Sequence, residues 1–329
     1  MKNNIALVTG GAGFIGSHMV DLLLTKGFEV RIIDNLSGGH KNNLKHNLNN
    51  KKLKFKNLDI CKLNPNEKFF KNVKYVFHFA GIGDIVPSIV KPAKYMLTNV
   101  QGTINVLEAS RVNKIKKFVY AASASCYGKT KGNTSEKNKI SLEHPYALSK
   151  YLGENSSFHW NKVYKLPVNS IRIFNAYGPR VRTTGAYGAV IGVFFKQKIA
   201  NQPLTIVGDG KQSRDFVHVK DVAKAFFAAA KTNISGEVFN VGTGTPQTVV
   251  TLAKLIGGKV TKIPDRPGEP RVSKADIRKI KTKLRWKPQI QFKQGIENML
   301  KDIKKWKNAP LWTPSKIKKV TAEWFSYLK

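Results

Sequence analysis

The 329-residue chain has only two cysteines, Cys61 and Cys126, and they lack metal-ligand spacing. That excludes a disulfide framework and a cysteine-held metal, and it fits a reducing compartment, with the cytosol as the expected location. Long hydrophobic runs are also missing. The most apolar early stretch, "IALVTGGAGFIGSHMVDLLL", is broken by glycines, a serine, a histidine and an aspartate, so it reads as neither a signal-peptide core nor a membrane span. No internal repeat or low-complexity segment suggests a further module. Acidic residues are scarce, 20 against 57 lysines and arginines, for a net charge of +37. Such a field attracts polyanions. Only ten of those cations are arginines and aromatics do not interleave with them, so the charge reads as a solvated lysine bias rather than a nucleic-acid surface. A polyanion-binding protein stays in view as the rival class.

Glycine is where the chain needs it for a phosphate. Residues 5 to 8, "IALV", read as a strand, and "TGGAGFIGSHMVDLLLTKG" reads as a tight turn entering a helix. Gly10, Gly13 and Gly16 fit the three needs of that turn: a sharp reversal, close approach of backbone to a pyrophosphate, and tight packing of helix on strand. The free N–H groups of the helix start then face the anion. The next strand, "EVRIID", ends in Asp34, which accepts hydrogen bonds from an adenosine 2′-hydroxyl and repels a 2′-phosphate, so the expected cofactor is NAD rather than NADP.

Further βα alternation follows in "KLKFKNLDI", "VKYVFHFAG", the helix "LTNVQGTINVLEASRV" and the strand "KKFVYAAS". The expected fold is α/β, a doubly wound parallel Rossmann sheet with a smaller α/β substrate-binding domain. Residues 1–174 form the first unit; residues 175–329 mainly form the second, with about 214–245 returning to the sheet. Ligands of such a sheet gather at the carboxyl ends of its strands, where Asp59, Ile60, Ala80, Gly81 and Asn99 are expected. His78 sits inside an apolar strand and reads as a packed core histidine.

Two tyrosines precede a lysine by four residues, Tyr127 with Lys131 and Tyr146 with Lys150. A lysine one helical turn away favours the phenolate and makes a tyrosine a candidate general base. "GKTKGN" after Tyr127 has no helical periodicity, whereas Tyr146, Ser149, Lys150, Gly153, Ser157, Trp160 and Tyr164 recur at steps of three and four behind Pro145. Tyr146 and Lys150 are therefore expected on one helix face.

Ten motifs now stand in order: "TGGAGFIGSH", "DNLS", "TNVQGT", "SASCYG", "YALSK", "RIFNAYGPR", "GAYGAVI", "GDGKQSRDFVHVKDVA", "FNVGTG" and "RPGEPRVSKAD". Over about residues 4 to 300 the chain resembles the extended short-chain dehydrogenase/reductase family, in particular its nucleotide-sugar 4-epimerases. The resemblance implies a catalytic set of Ser123, Tyr146 and Lys150, with Tyr127 structural. It implies an NAD site of Gly10, Gly13, Phe14, Ile15, Gly16, Asp34, Asn35, Asp59, Ile60, Ala80, Gly81 and Asn99, completed by Tyr146 and Lys150. For the UDP-sugar it implies Ser123, Ser125, Asn175, Ala189, Val190, Arg214, Arg266 and Ser273, the two arginines on the diphosphate, and no metal.

The family's 4,6-dehydratases carry an Asp-Glu pair after the residue matching Ser123 and its decarboxylases a Glu; this chain has Ala124 and Ser125, so elimination lacks its acid/base. A small residue at Ser273, where relatives that exclude N-acetyl groups have tyrosine, leaves room at C2 of the hexose. The expectation is a 4-epimerase of UDP-N-acetylglucosamine, with UDP-glucose as a further substrate, working as a homodimer; a glucuronate epimerase, dehydratase or decarboxylase is the alternative. Beyond the matched region, 301–329 reads as a basic amphipathic tail in which Ile317, Val320, Trp324, Phe325 and Leu328 share one helical face. Docking on the protein's own core is favoured there over a membrane surface.

Overall fold

Apolar runs rich in valine and isoleucine become strands wherever glycine or a polar pair bounds them, and most of the sequence reading transfers directly. The computed structural model describes residues 4–130, 132–182, 190–265 and 270–327. The chain begins β1 (Ile5–Thr9), α1 (Phe14–Thr25), β2 (Glu29–Asp34), β3 (Leu53–Asn57) and β4 (Val73–His78). Two single turns, α2 (Val86–Val90) and α3 (Pro92–Met96), lead through a π turn at Leu97–Gln101 into α4 (Gly102–Val112) and β5 (Lys117–Ser123). Next come β6 (Asn133–Thr134), α5 (Pro145–Tyr164), β7 (Val168–Ile173), β8 (Asn175–Tyr177), α6 (Val190–Ile199), β9 (Leu204–Val207), β10 (Ser213–Arg214), β11 (Phe216–His218), α7 (Val219–Lys231) and β12 (Glu237–Val241). The remainder is β13 (Gln247–Thr248), α8 (Val249–Ile256), β14 (Val260–Ile263), β15 (Lys274–Ala275), α9 (Arg278–Leu284), α10 (Phe292–Lys301), α11 (Pro314–Val320) and α12 (Ala322–Tyr327). Among the described residues no helix is long and apolar enough to cross a membrane.

Seven strands pair in the order β12-β7-β5-β4-β1-β2-β3, all parallel. The winding runs outward from β1 to β3, then returns to β4, so direction reverses between β1 and β4. Thr9 lies level with Ile33 and His78 across that reversal, and the loops after all three strands leave the sheet together. This is where an open parallel sheet binds its ligand. α7 and β12 bring residues 219 to 241 back to the same sheet.

Both faces are covered. Met19 and Leu23 of α1 and Val222 and Phe226 of α7 pack on one; Val106 and Leu107 of α4 lie on the other with Val76, Phe118 and Tyr120. Each such side chain contributes about 1.5–3 kcal/mol by leaving water. A third cluster around Phe194, Phe195, Leu204, Leu252 and Trp306 forms a separate core.

The C-terminal segment departs from the continuous helical face expected from Ile317 to Leu328. α11 and α12 are separated at Thr321, whose hydroxyl turns back to the Ile317 carbonyl at 2.8 Å. The backbone leaves the helical range there, at φ −96° and ψ 3°, and the stripe breaks. Ile317 and Trp324 are buried, Phe325 is exposed, and Leu328 lies outside the described residues.

Candidate active site

The glycine turn is tight because nothing larger fits. Gly10 has φ 69°, and a Cβ on it would lie 2.7 Å from the Ala80 nitrogen. A Cβ on Gly16 would run into the Gly10 carbonyl oxygen. Gly13 occupies the N-cap of α1 without a capping side chain, so the first-turn N–H groups of Phe14, Ile15 and Gly16 are available to an anion.

Asp34 closes β2 with its carboxylate accepting from Ala12 N at 2.9 Å and Leu36 N at 2.8 Å. Burial holds its carboxyl above the ordinary range against those two donors. Each oxygen keeps a further lone pair for a ribose hydroxyl. Asn35 donates to Asp59 at 3.0 Å, which joins the ends of β2 and β3. Asp59 caps the turn Ile60–Lys62 by accepting from Cys61 N at 2.8 Å. Partial burial raises the Asp59 carboxyl, but these hydrogen bonds outweigh it and hold it low. Ile60 is buried against Gly102, so its side chain serves the core.

Ala80 and Gly81 follow β4 beside Asn99. The Asn99 amide oxygen accepts from Ile82 N at 2.8 Å, and its nitrogen donates to Ile82 O at 3.0 Å and to Ser149 Oγ at 2.9 Å. Asn99 therefore braces the Gly81 loop against α5. His78 is packed as expected, with its ring nitrogens bonded to Thr9 and Thr103 hydroxyls at 2.6 and 2.9 Å, and burial pushes its pKa down to about 3.

α5 starts where the sequence requires. Pro145 takes its first turn, and the His144 ring accepts from Ala147 N at 3.1 Å. Gly153 lets the helix close on the π turn and on β5, since a Cβ there would stand 2.8 Å from the Asn99 carbonyl and run into the Tyr120 hydroxyl. Lys150 is thereby carried into a buried position, 4.5 Å above the Tyr120 ring, and desolvation lowers its pKa to about 8. Tyr146 stacks on His144 at 5.9 Å and hydrogen-bonds the Ser123 hydroxyl. Burial raises the Tyr146 phenol above its ordinary value, with the Ser123 bond pulling it back. A lysine one turn away does not by itself make this tyrosine a phenolate, because desolvation penalises both charged forms.

Ser123, at the end of β5, opens onto a cavity of about 670 Å³. Phe14, Ser125, Asn175, Val190, Arg214 and Ser273 line it as well, so every expected substrate residue within the described chain meets there. Arg214 is steered by the carbonyls of Ser213 and Pro270 at 3.0 and 2.8 Å. Ala189 and Arg266 lie outside the described residues, as does Lys131. Tyr127 is buried, donating to Asn240 at 2.7 Å under the Arg172 guanidinium.

Sequence reasoning missed the groups that hold these walls. Glu154, one turn beyond Lys150, takes Arg172 in a buried pair and Ser170 at 2.7 Å. Asp215 accepts from Thr243 N at 2.6 Å, Gly244 N at 2.9 Å and Ala275 N at 2.9 Å, tying the strands beside Arg214 to "VGTG" and "SKAD". A glutamate at i+4 of a buried lysine was a usable signal; the Asp215 node joins segments too distant for one.

The sequence model of the NAD dependent epimerase/dehydratase family matches residues 6–242. A putative UDP-glucose 4-epimerase of Methanocaldococcus jannaschii is 40% identical over 91% of this chain and 98% of its own. The solved UDP-N-acetylglucosamine 4-epimerase of Methanobrevibacter ruminantium, in complex with UDP-N-acetylmuramic acid, superposes with TM-score 0.86 at 33% identity, covering 92% of this chain and 98% of that one. UDP-glucuronic acid 4-epimerase of Bacillus cereus, solved with UDP-glucuronic acid and NAD, has TM-score 0.86 at 31% identity over 92% and 99%. With the cradle geometry these likenesses give the conclusion: the chain belongs to the NAD dependent epimerase/dehydratase family and is an NAD-dependent enzyme of the epimerase kind.

Proposed function

We propose that the enzyme interconverts the C4 epimers of a UDP-hexose, with UDP-N-acetylglucosamine and UDP-N-acetylgalactosamine as its preferred pair and UDP-glucose and UDP-galactose as further substrates. The observation that carries this reading is that Ser123 borders the same cavity as the small side chain of Ser273 while bonding to Tyr146, which stands one helical turn from the buried Lys150. The Gly10–Gly16 turn would hold NAD, which would supply the hydride acceptor and a cationic ring. Tyr146 takes the proton of the sugar 4-hydroxyl, through or beside Ser123, as the C4 hydride leaves, and returns it to the 4-oxygen when hydride comes back to the opposite face of C4. Lys150 would hold the nicotinamide ribose and supplies the positive charge that the phenolate needs. Arg214 faces the diphosphate, and Asn175 the sugar beyond it.

Asp84 and Glu143 bring carboxyl groups to the cavity and Lys129 an ammonium, a balance that suits a neutral hexose better than a hexuronate. Ala124 and Ser125 supply no carboxyl group for elimination. Exposed Leu97, Val112, Leu152 and Val163 on and beside α4 and α5 support a homodimer through these helices. Cys61 and Cys126 are both unpaired, in keeping with a cytosolic protein. Substituting Ser273→Tyr tests the substrate assignment: it should cut kcat/KM for UDP-N-acetylglucosamine by at least about tenfold while sparing UDP-glucose. Unchanged turnover of the N-acetylated substrate would refute it.

A further inference from the structure

The helix that carries Tyr146 is capped by a side chain that also borders the cavity. His144 precedes Tyr146 by two residues, and its Nδ1 accepts the Ala147 N–H at 3.1 Å, where a serine, threonine, aspartate or asparagine is usual. That bond fixes the ring's proton. A nitrogen that accepts carries no hydrogen of its own, so in the neutral ring the proton sits on Nε2. Burial outweighs the attraction of Glu143 and pushes the His144 pKa down to about 4, which keeps the ring neutral at pH 7. The imidazole is therefore a donor on one side only, with Nδ1 engaged by the helix and the Nε2–H left over.

The spare donor has no use inside the protein. Among the described residues nothing bonds Nε2, and the atom is not sealed from solvent, the residue as a whole being only partly buried. His144 lines the cavity together with Ser123 and Ser125, which end β5 and begin the turn after it, and with Asp84 from the loop after β4. Its ring lies parallel to that of Tyr146, with planes 5° apart and centroids at 5.9 Å, and Tyr146 in turn bonds Ser123. The donor thus stands at the end of the cavity where the proposed chemistry takes place.

We infer that His144 is a substrate-contact residue, its Nε2–H donating to a hydroxyl of the hexose held against Ser123 and Tyr146 while its Nδ1 keeps α5 capped. A neutral N–H suits this place, because it orients an uncharged hydroxyl through that oxygen's lone pair and sets no further charge beside the sugar. This inference rests on the reading of the cavity as a UDP-hexose site. It predicts that the work of the two nitrogens can be separated. A serine hydroxyl at position 144 can cap the helix but is too short to replace Nε2 at the sugar, and the bare nucleotide diphosphate has no hexose for Nε2 to touch.

The test compares, in the full chain, His144→Ala, which loses both bonds, with His144→Ser, which restores the cap alone. His144→Ala should melt about 2 °C lower than the wild type and His144→Ser should not. In both variants KM for UDP-N-acetylglucosamine and UDP-glucose should rise about tenfold, with kcat within about threefold and the inhibition constant of UDP within about twofold of wild type. His144→Ser decides alone if the alanine variant fails to fold. Wild-type KM in His144→Ser would reduce the ring to a helix cap and overturn the inference. So would a fall in kcat at unchanged KM, the mark of a ring that only supports Tyr146, or a loss of UDP affinity in step with the sugar nucleotides. If the wild type epimerises neither sugar, calorimetry takes the place of KM: weaker binding of the sugar nucleotides but not of UDP in His144→Ser would then refute the proposed function and leave the contact standing.

Discussion

A single methyl group on Gly16 is the sharpest perturbation of the dinucleotide cradle. Its Cβ would overlap the Gly10 carbonyl oxygen and lie 2.9 Å from that carbonyl carbon and 3.0 Å from Gly11 Cα. All three are backbone atoms, so no rotamer change relieves the contact, and the turn must move away from α1 by roughly 1 Å to regain ordinary van der Waals separation. On helix propensity alone Gly16→Ala would stabilise by about 1 kcal/mol. Overpacking of a closed site costs about 1–3 kcal/mol, so the clash prevails or nearly cancels the gain. Function should suffer more than stability, because a displacement of about 1 Å in a positioning element can cost about 100-fold. The assay is the NAD released per protomer on denaturing the purified protein, read beside its melting temperature. We expect less than about a tenth of wild-type NAD in a protein that still unfolds cooperatively. Wild-type NAD content with a raised melting temperature would show that the turn does not press on the helix as described.

Tyr146→Phe should lower kcat about 10²–10⁴-fold, the usual worth of a positioned proton acceptor, while calorimetry finds UDP-sugar still bound; undiminished kcat would remove Tyr146 from the chemistry. Arg172→Met leaves Glu154 buried at 1% exposure with Ser170 as a remaining partner, and denaturant unfolding should report a loss of about 3–5 kcal/mol. A loss below about 1 kcal/mol would contradict the pairing. His78 has its folded pKa depressed from 6.5 to about 3, so the neutral ring is the native form and the unfolded chain binds the extra proton. Its contribution is complete above about pH 6.5 and is lost as pH falls towards the folded value, by about 2 kcal/mol at pH 5. The drop in unfolding free energy between pH 7.5 and pH 5 should therefore shrink by about that much in His78→Gln, and an unchanged drop would count against the buried neutral imidazole.

The parts legible in the sequence were those with a local signature. Gly10, Gly13 and Gly16 announce the turn because backbone crowding admits nothing else, and Asp34 follows at the next strand end. α5 was legible because Pro145 starts it and its buried positions recur at helical spacing. Less local features stayed hidden. The run 97–112 reads as one helix, whereas Leu97–Gln101 is a π turn; the changed hydrogen-bond ladder leaves no trace in polarity, yet it accompanies the placing of Asn99 between Ile82 and Ser149. Lysine proximity suggested a phenolate at Tyr146, but burial, which spacing does not report, holds the phenol. In the tail, periodicity picked out Ile317 and Trp324 as inward-facing, but not the break at Thr321. Nor could it say that Trp324 turns towards the substrate cavity.

The central claim is that this chain epimerises a UDP-hexose at C4 with NAD it already holds. The direct measurement is to incubate the purified protein with UDP-N-acetylglucosamine, and separately with UDP-glucose, without added NAD, and to follow the configuration at C4 by proton NMR. The account predicts the galacto epimer in both, faster with the N-acetylated sugar, and no net NADH. No change in either sugar, even after NAD is supplied, would contradict it.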